Sequence, residues 1–373
     1  MKRQWTPEEA WEWYNNRPWI VGFNYVPANC ASIFDMWQEY RHAERMPAIT
    51  KEIERAAEIG YNAVRIIMSF PCWKHQHDGY MERLEEYLTL FAKNGIKAMI
   101  CFGNDCSVPK ERYKEPQFGE QHVDMGYHGG IAVSPHAGMP GVGYTVLDEP
   151  ELYDEFNEMV REIVSKYAKD ERVEVWDIFN ELGNGRRRDK SVPAMERFFA
   201  TARACDPIQP LTADTWTIVH WASDPLNPEK VPLNPWEKRA VELSDVVSYH
   251  DYRDFDTSVM VIDYLKKHYG RPLLNTEWLN RIQRNTVQTH LPLFFLEKVG
   301  CYQWGLVAGL NQTYEPWDSF WVRNNKGEGE DFDFTKWQHD VLRPNLRPYD
   351  PHEIELFEHY IKLSKKDFEE SHR

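Results

Sequence analysis

Two glutamates each close a short apolar run of the kind that forms a buried strand. The first run, VEVWDIFNE, ends at Glu181, and the second, PLLNTE, ends at Glu277. Barrel enzymes hold their reacting groups at the carboxyl ends of the strands, so we expect both acids on one face of the fold. Two carboxyl groups facing each other across a cleft are the equipment for cleaving a glycosidic bond. One protonates the leaving oxygen, and the other attacks the sugar or activates water.

The composition limits the partners of the chain. Its 373 residues carry a net charge of −15, which disfavours nucleic acid and anionic membranes and suits a neutral ligand such as a sugar. No apolar run approaches the ~18 residues of a membrane span. The start lacks the apolar stretch of a secretory signal, and the six cysteines show no CxxC spacing. We therefore expect a cytoplasmic protein with reduced thiols, and the sequence makes no prediction of its oligomeric state.

Strand and helix patterns alternate along the chain. Eight apolar runs are predicted as strands, at residues 19–25, 63–68, 96–102, 173–179, 210–214, 245–250, 272–276 and 301–306. Apolar residues at helical spacing lie between them, at residues 49–59, 81–93, 151–167, 192–204, 258–268 and 286–299. Eight such units most simply close into a (β/α)8 TIM barrel, an α/β fold. We expect residues 1–373 to form one catalytic domain.

Glycines and connection lengths separate the two faces of this barrel. Gly60, Gly95, Gly270 and Gly300 follow predicted helices and precede strands, so they are predicted helix C-caps on the structural face. The long connections, residues 103–148 and 308–349, follow the third and eighth strands and are expected to shape an active-site cleft. A final helix is predicted over residues 351–365, followed by a frayed charged tail at 366–373.

The ordered motifs resemble the clan of retaining (β/α)8 glycoside hydrolases that includes glycoside hydrolase family 5. The resemblance covers residues 19–304 and rests on seven positions: Arg65, Asn180, Glu181, His250, Tyr252, Glu277 and Trp304. It implies that Glu181 is the acid/base, that Glu277 is the nucleophile and that Arg65 braces Glu277. It further implies that Asn180 binds the sugar 2-hydroxyl, that His250 and Tyr252 form the His-x-Tyr pair, and that Trp304 lies under the sugar.

One position departs from the family pattern. Family 5 enzymes usually carry a histidine just past the third strand, where this chain has Asn104 and Asp105. We treat both residues as candidate substrate-binding groups.

The stereochemical outcome follows from the separation of the acids. A retaining pair stands ~5–5.5 Å apart and an inverting pair ~6.5–9.5 Å apart. Strands four and seven face each other across a narrow barrel, which favours the shorter distance and predicts retention. Arg65 and Tyr252 beside Glu277 are expected to keep that carboxylate ionised, and its closeness is expected to hold the proton on Glu181.

Several aromatic residues are further candidates for the sugar site, each with local packing as the alternative. Trp37 follows the first strand and is predicted to line the site. Possible further walls of the cleft are Trp216, Trp221, Trp317 and Trp321. His122, His128 and His136 fit no closed set of metal ligands, so no metal and no cofactor is predicted.

Two other classes of function stay open. The sequence His75-Gln76-His77 resembles the paired histidines of metal-dependent barrel hydrolases, although it follows the second strand rather than lying on the first. A non-catalytic carbohydrate-binding barrel is the other alternative. Among glycosidases, an oligosaccharide substrate and exo action are favoured. The resemblance suggests β-mannosidase activity first, ahead of β-glucosidase, xylanase or endoglucanase.

Overall fold

The eight predicted strands all form in the computed structural model, which describes residues 3–218, 233–329 and 331–372. They are, in chain order, β1 (Val21–Asn24), β2 (Ala63–Ile67), β3 (Lys97–Asn104), β4 (Val173–Asn180), β5 (Leu211–Thr212), β6 (Val247–His250), β7 (Leu273–Trp278) and β8 (Gly300–Gln303). All neighbours in the sheet are parallel, in the order β5-β4-β3-β2-β1-β8-β7-β6. The (β/α)8 fold is confirmed.

The two end strands of this order meet and close the ring. The N–H of Thr215 donates to the carbonyl of Ser248 at 3.1 Å, and the N–H of His250 donates to the carbonyl of Thr215 at 2.9 Å. A parallel bridge joins Thr215 to Tyr249. Closure matters for the site because it brings the ends of β4, β6 and β7 to one opening.

Twelve helices lie within the described part of the chain. They are α1 (Pro7–Asn15), α2 (Ile33–Trp37), α3 (His42–Ile59), α4 (Phe70–His75), α5 (His77–Lys93), α6 (Pro150–Tyr167), α7 (Val192–Ala204), α8 (Pro235–Leu243), α9 (Phe255–Tyr269), α10 (Val287–Leu296), α11 (Asp318–Asn325) and α12 (Pro351–Ser371). All the predicted helices are present. The predicted tail was wrong, because α12 continues to Ser371.

The predicted glycine caps hold at three of the four positions. Gly60 and Gly270 end α3 and α9 with φ of 111° and 59°, and Gly95 follows α5 with φ of 70°. Gly300 is a correction. It begins β8, while Lys298 takes the left-handed backbone after α10. A side chain at Gly300 would meet Leu274, so close packing explains that glycine.

The N-terminal helix closes the bottom of the barrel. Ala10 and Tyr14 of α1 pack against inward residues near the strand starts, among them Ala63, Val175 and Tyr302. The indole of Trp11 donates to the carbonyl of Gly270 at 2.9 Å. This end is therefore filled with side chains, and an open site can form only at the strand C-termini.

The two long connections differ in structure. Residues 103–148 contain only short 3-10 turns, such as His128–Gly130 and Pro135–Ala137, whereas 308–349 includes the helix α11. All six cysteines are free. Among the described helices, none combines the length and the apolar character that a membrane crossing requires.

Candidate active site

Glu181 stands one residue past β4 in a strained backbone. Its φ of 47° is in the left-handed region, which costs a non-glycine residue energy. The buried carboxylate of Asp214 accepts the N–H of Glu181 at 2.9 and 3.2 Å and fixes that conformation. The amide of Asn184 donates to the Glu181 side chain at 2.5 Å. The turn thereby points this carboxyl group across the barrel opening.

Glu277 lies on β7 with its two oxygens engaged by different donors. Arg65 Nη1 donates to Oε1 at 2.8 Å, and the hydroxyl of Tyr252 donates to Oε2 at 2.8 Å. Both contacts favour the ionised carboxylate. A side chain held on both oxygens has little rotational freedom, as a nucleophile requires.

His250 bridges the two acids. Its Nδ1 lies 3.0 Å from Oε1 of Glu181 and 3.4 Å from Oε2 of Glu277. Burial lowers the pKa of His250 to about 4, so the imidazole is neutral at pH 7. Its single proton is best placed on Nδ1, between two acceptors. The ligand atoms of these three residues all lie within 4.8 Å of one another, so the carboxyl groups are as close as a retaining pair requires.

Arg65 is the hub beneath the pair. The guanidinium is fully buried and donates to Asp177 at 2.8 Å, to Asn24 at 2.8 Å and to Asn180 at 2.7 Å, besides Glu277. Asn180 in turn donates to Asn104 Oδ1 at 3.0 Å. With its oxygen bound to Arg65, Asn180 is held with its amide N–H groups toward Asn104 and the cavity.

Burial dominates the proton affinities of the two acids. It raises the pKa of Glu181, and the lowering effects of Asn184, His136 and Arg65 are smaller. Burial also raises the pKa of Glu277, as does the neighbouring Glu181, whereas His250, Arg65 and Tyr252 oppose the rise. Because only Glu277 is paired directly with a cation, a proton shared by the pair belongs on Glu181. The main cause of the raised pKa of Glu181 is burial, rather than the neighbouring carboxylate as predicted from the sequence.

A cavity of about 490 Å³ opens above these groups. Its lining includes seven of the predicted site residues: Asn104, Asn180, Glu181, His250, Tyr252, Glu277 and Trp304. Trp216 and Trp317 form further walls, whereas Trp321 stacks on Phe334 at 4.1 Å between ring centroids, away from the cavity lining. Trp221 is outside the described residues. Both long connections contribute, through residues such as His136 and Phe320.

An aromatic group holds Tyr252 in place. Its ring lies 5.2 Å from that of Trp317 and 5.3 Å from that of His339. The indole of Trp317 donates to His128 Nε2 at 3.1 Å, and His128 Nδ1 lies 2.8 Å from the carbonyl of Glu315. Burial lowers the pKa of His128 well below its usual value, so this histidine is a neutral packing group.

Two predicted site residues are not brought to the cavity. Trp37 is fully buried, packs against Tyr80 and Tyr87, and donates its indole N–H to the carbonyl of Ile67 at 2.7 Å. Its prediction as a sugar-site wall was wrong because α2 carries it into the core.

Asp105 is also a structural residue, which corrects its prediction as a substrate-binding group. Its carboxylate is fully buried and accepts from Arg187 at 2.8 Å, Ser191 at 2.7 Å and the N–H of Gly183 at 2.8 Å. It anchors the segment after β4 that carries Asn184. Only Asn104 of the pair faces the cavity.

Several residues at the site were not predicted from the sequence, among them Asp214, Asn184, Arg253 and Arg323. Asp214 ends the fifth apolar run, so the rule that selected the two glutamates also applies to it. Arg253 adjoins Tyr252, and both Arg253 and Arg323 line the cavity.

The donor atoms at the site do not favour a metal ion. Within the described ranges, Glu181, His250 and Glu277 are the group with ligand atoms close enough to share an ion. The oxygens of Glu277 already bind Arg65 and Tyr252, and the cation of Arg65 opposes a second positive charge there. His77 pairs with Asp78 and Glu162 on the outer surface, and His75 packs against Phe118, so neither faces the barrel opening.

Comparison with known proteins places this geometry in a family. The family model for cellulases, glycosyl hydrolase family 5, matches residues 28–325. Comparison of the sequence with curated proteins gave no match. Many solved structures share the fold at low sequence identity, and three of them are compared with this chain.

The first is an exo-β-1,4-mannosidase from Opitutaceae bacterium strain TAV5, with 16% identity, a TM-score of 0.58 and alignment over 94% of this chain. This chain spans only 60% of the length of that protein. The second is GH5_18 from Streptomyces cattleya in complex with GlcNAc, with 11% identity, a TM-score of 0.59, and 94% and 81% of the two chains aligned. The third is a xyloglucan-specific endo-β-1,4-glucanase of GH5 from a metagenomic library, with 12% identity, a TM-score of 0.54, and 95% and 100% aligned.

Proposed function

Because the chain belongs to glycosyl hydrolase family 5, we propose that it is a retaining glycosidase that is exo-acting and β-mannosidase-like. The observation that carries the proposal is the convergence of Glu181 and Glu277 within 4.8 Å in one cavity. No metal or cofactor takes part in the reaction we propose, and the partner is an oligosaccharide.

The proposed reaction is a double displacement. Glu277, ionised and held by Arg65 and Tyr252, attacks the anomeric carbon while Glu181 gives its proton to the leaving oxygen. The glycosidic bond breaks, and an ester bond forms between the sugar and Glu277. Glu181, now ionised, takes a proton from water as that water attacks the anomeric carbon and frees Glu277. Two inversions give net retention.

The supporting residues have proposed roles in substrate binding. Asn180 and Asn104 present amides to the sugar, with Asn180 on the 2-hydroxyl. Trp304 offers its ring to the apolar face of the sugar. The neutral His250 donates its Nδ1–H between the two carboxyl groups and carries no positive charge itself. Asp214 is a positioning residue that acts through the backbone of Glu181.

Exo action is supported by the walls of the site. We propose that residues 1–373 form one catalytic domain in which the segments 103–148 and 308–349 close one end of the cleft. His136 and Trp317 come from these segments, and their rings stack 5.4 Å apart at 12° beside the cavity. The volume of about 490 Å³ is that of a small-ligand pocket. The Opitutaceae structure is named as an exo-β-1,4-mannosidase, which makes mannose the first sugar to test.

Endo action on a β-glucan is the second candidate. It is favoured by the xyloglucan-specific endo-β-1,4-glucanase, because this chain aligns with the whole length of that enzyme. An endo enzyme needs an open groove through which a long chain can pass on both sides of the cleaved bond.

A panel of substrates tests the proposal. Aryl β-glycosides and short manno-, gluco- and xylo-oligosaccharides are incubated with wild type and with Glu277→Ala, and products are followed in time. Monosaccharide release from the first minutes, lost in the variant, is expected. A ladder of mid-length products would overturn exo action, and equal activity of the variant would overturn the assigned nucleophile. Turnover that stops with chelator would favour the metal-dependent alternative, and binding with no turnover on any substrate would favour a carbohydrate-binding barrel.

A further inference from the structure

Two arginines in the wall of the catalytic cavity have no role in the proposed reaction. Arg253 directly follows Tyr252, and Arg323 lies on α11 within the connection after β8. Both side chains line the cavity that contains Glu181 and Glu277. Both also line an adjoining hollow of about 370 Å³ that opens beside it. The two guanidinium groups are therefore shared between the reaction site and its outer extension.

The two arginines are held near each other despite their like charge. The charge of Arg323 and, above all, burial lower the pKa of Arg253, while Asp251 and Asp254 oppose this. Among the described residues, Arg323 has no carboxylate partner. Its guanidinium lies 4.7 Å above the ring of Phe332, and it makes one long contact of 3.4 Å with the carbonyl of Glu328.

Three acids near these arginines in the described part of the chain make other contacts. Asp251 accepts the N–H of Arg253 at 2.8 Å and the hydroxyl of Ser258. Asp254 caps α9 through the N–H of Thr257, and Asp331 pairs with Arg284 at 2.6 Å. Glu328 is exposed at the outer rim. With Glu181 protonated, the described residues of the cavity lining carry two positive charges, on Arg253 and Arg323, against the single negative charge of Glu277.

A neutral donor completes this wall. Gln283 lines both the cavity and the hollow, and its Nε2 donates no hydrogen bond within the described part of the chain. An amide and two guanidinium groups on one wall are the donors that bind carboxylate or sulfate oxygens. A positively charged wall is unexpected in a chain whose net charge is −15. A neutral sugar would gain no electrostatic attraction from this wall, whereas an anionic sugar would.

From this arrangement we propose that the substrate carries an anionic group, a carboxylate or a sulfate ester, on the sugar that lies against Arg253 and Arg323. The inference rests on the proposed function and narrows its substrate class from neutral oligosaccharides to acidic ones. It replaces the expectation, drawn from net charge alone, that the ligand is neutral. The local charge of the lining, rather than the total, acts on a bound ligand at short range.

The test measures binding without turnover. Calorimetry is done in a Glu181→Gln background, which preserves the charge of the protonated acid. The probes are matched pairs that differ in the acidic group: β-1,4-mannotriose and β-1,4-trimannuronate, and cellotriose and its triuronate. A 6-O-sulfated mannotriose distinguishes sulfate from carboxylate as the preferred group. In at least one pair we expect the acidic sugar to bind about tenfold tighter or more at low salt, with the preference falling as salt rises.

Charge-removing variants locate the effect. Arg323→Gln and Arg253→Gln are each expected to lower the ratio of acidic to neutral affinity toward one, and Arg323→Lys to keep part of it. Arg284→Gln is the matched control, because Arg284 lines the adjoining hollow but not the catalytic cavity. It removes the same charge nearby and should preserve the ratio.

Equal binding of acidic and neutral sugars in every pair would overturn the inference. So would a preference that both cavity variants leave unchanged, or one that Arg284→Gln removes as fully as they do. Because no turnover is needed, these outcomes are independent of the Glu277→Ala assay on which the proposed function depends.

Discussion

Replacing Glu181 with glutamine isolates proton transfer from the rest of the site. Glutamine has nearly the same shape, and its single carbonyl oxygen can accept from either Asn184 or His250, which contact different oxygens of the glutamate. Glu277 keeps both of its donors, Arg65 and Tyr252. The variant therefore loses the proton given to the leaving group and the base that later activates water.

The size of the loss depends on the leaving group. General acid catalysis contributes typically ~10²–10⁴-fold, which is about 2.7–5.4 kcal/mol of barrier. We expect a loss of this size in kcat/KM for natural oligosaccharides and for phenyl glycosides. The 2,4-dinitrophenolate group leaves without protonation, so the kcat/KM of the variant on a 2,4-dinitrophenyl glycoside should stay near that of wild type. Its turnover should instead slow at the second step, with a burst of phenolate, because water is no longer deprotonated.

The assay is a series of aryl β-glycosides of increasing phenol acidity, measured by stopped flow for wild type and Glu181→Gln. Glu277→Gln is the control, because loss of the nucleophile should abolish turnover of every member of the series. An equal loss across the series for Glu181→Gln would refute the assignment of the acid/base, and added azide restoring the rate would support it.

Three further predictions concern the hub, the core and the pH profile. Arg65→Met leaves Asp177 and Glu277 buried without their cation. We expect the free energy of unfolding to fall by about 3–5 kcal/mol. At an unfolding entropy of ~2.1 cal/mol/K per residue, this lowers the thermal midpoint by about 4–6 °C, which calorimetry measures. An unchanged midpoint would contradict the structural role of Arg65. Trp37→Phe should cost about 1–3 kcal/mol of stability by leaving the Ile67 carbonyl unsatisfied, with KM unchanged; a raised KM without a stability loss would restore Trp37 to the sugar site. The pH profile of kcat/KM should be bell-shaped, falling at low pH as Glu277 is protonated and at high pH as Glu181 ionises. Because burial raises the pKa of both groups, both limbs should lie above the range of exposed carboxyls, and Glu181→Gln should lose the alkaline limb; retention of that limb would assign it to another group.

The fold was predictable because its signals are local and repeated. Each strand is a short apolar run with a helix after it, and this alternation alone predicts a parallel closed sheet. Helices ended by Gly60 or Gly270 carry their own stop signals. The region after residue 365 was misjudged because its charges were interpreted as disorder, whereas they form the exposed face of a continuing helix.

Most of the predicted site residues that the structure brings together lie at or just past a strand end, and Arg65, within β2, is an exception. Glu181 and Glu277 satisfy that rule, and so does Asp214, which was missed. Asn104 and Asp105 illustrate the limit. Asn104 ends β3 and faces the cavity, whereas Asp105 turns away from it and binds Arg187, Ser191 and the N–H of Gly183. Trp37 and Arg323 depend on the path of a connection through space, which spacing along the chain does not determine.

Trapping the covalent intermediate tests the central claim most directly. Wild type is incubated with a 2-deoxy-2-fluoro β-glycoside of the sugar that it cleaves, carrying a 2,4-dinitrophenyl leaving group, and the labelled protein is digested and mapped by mass spectrometry. If the two carboxyl groups act as proposed, one fluoroglycosyl group will be attached, at Glu277. Attachment to Glu181, or first-formed product with inverted anomeric configuration and no label, would contradict it.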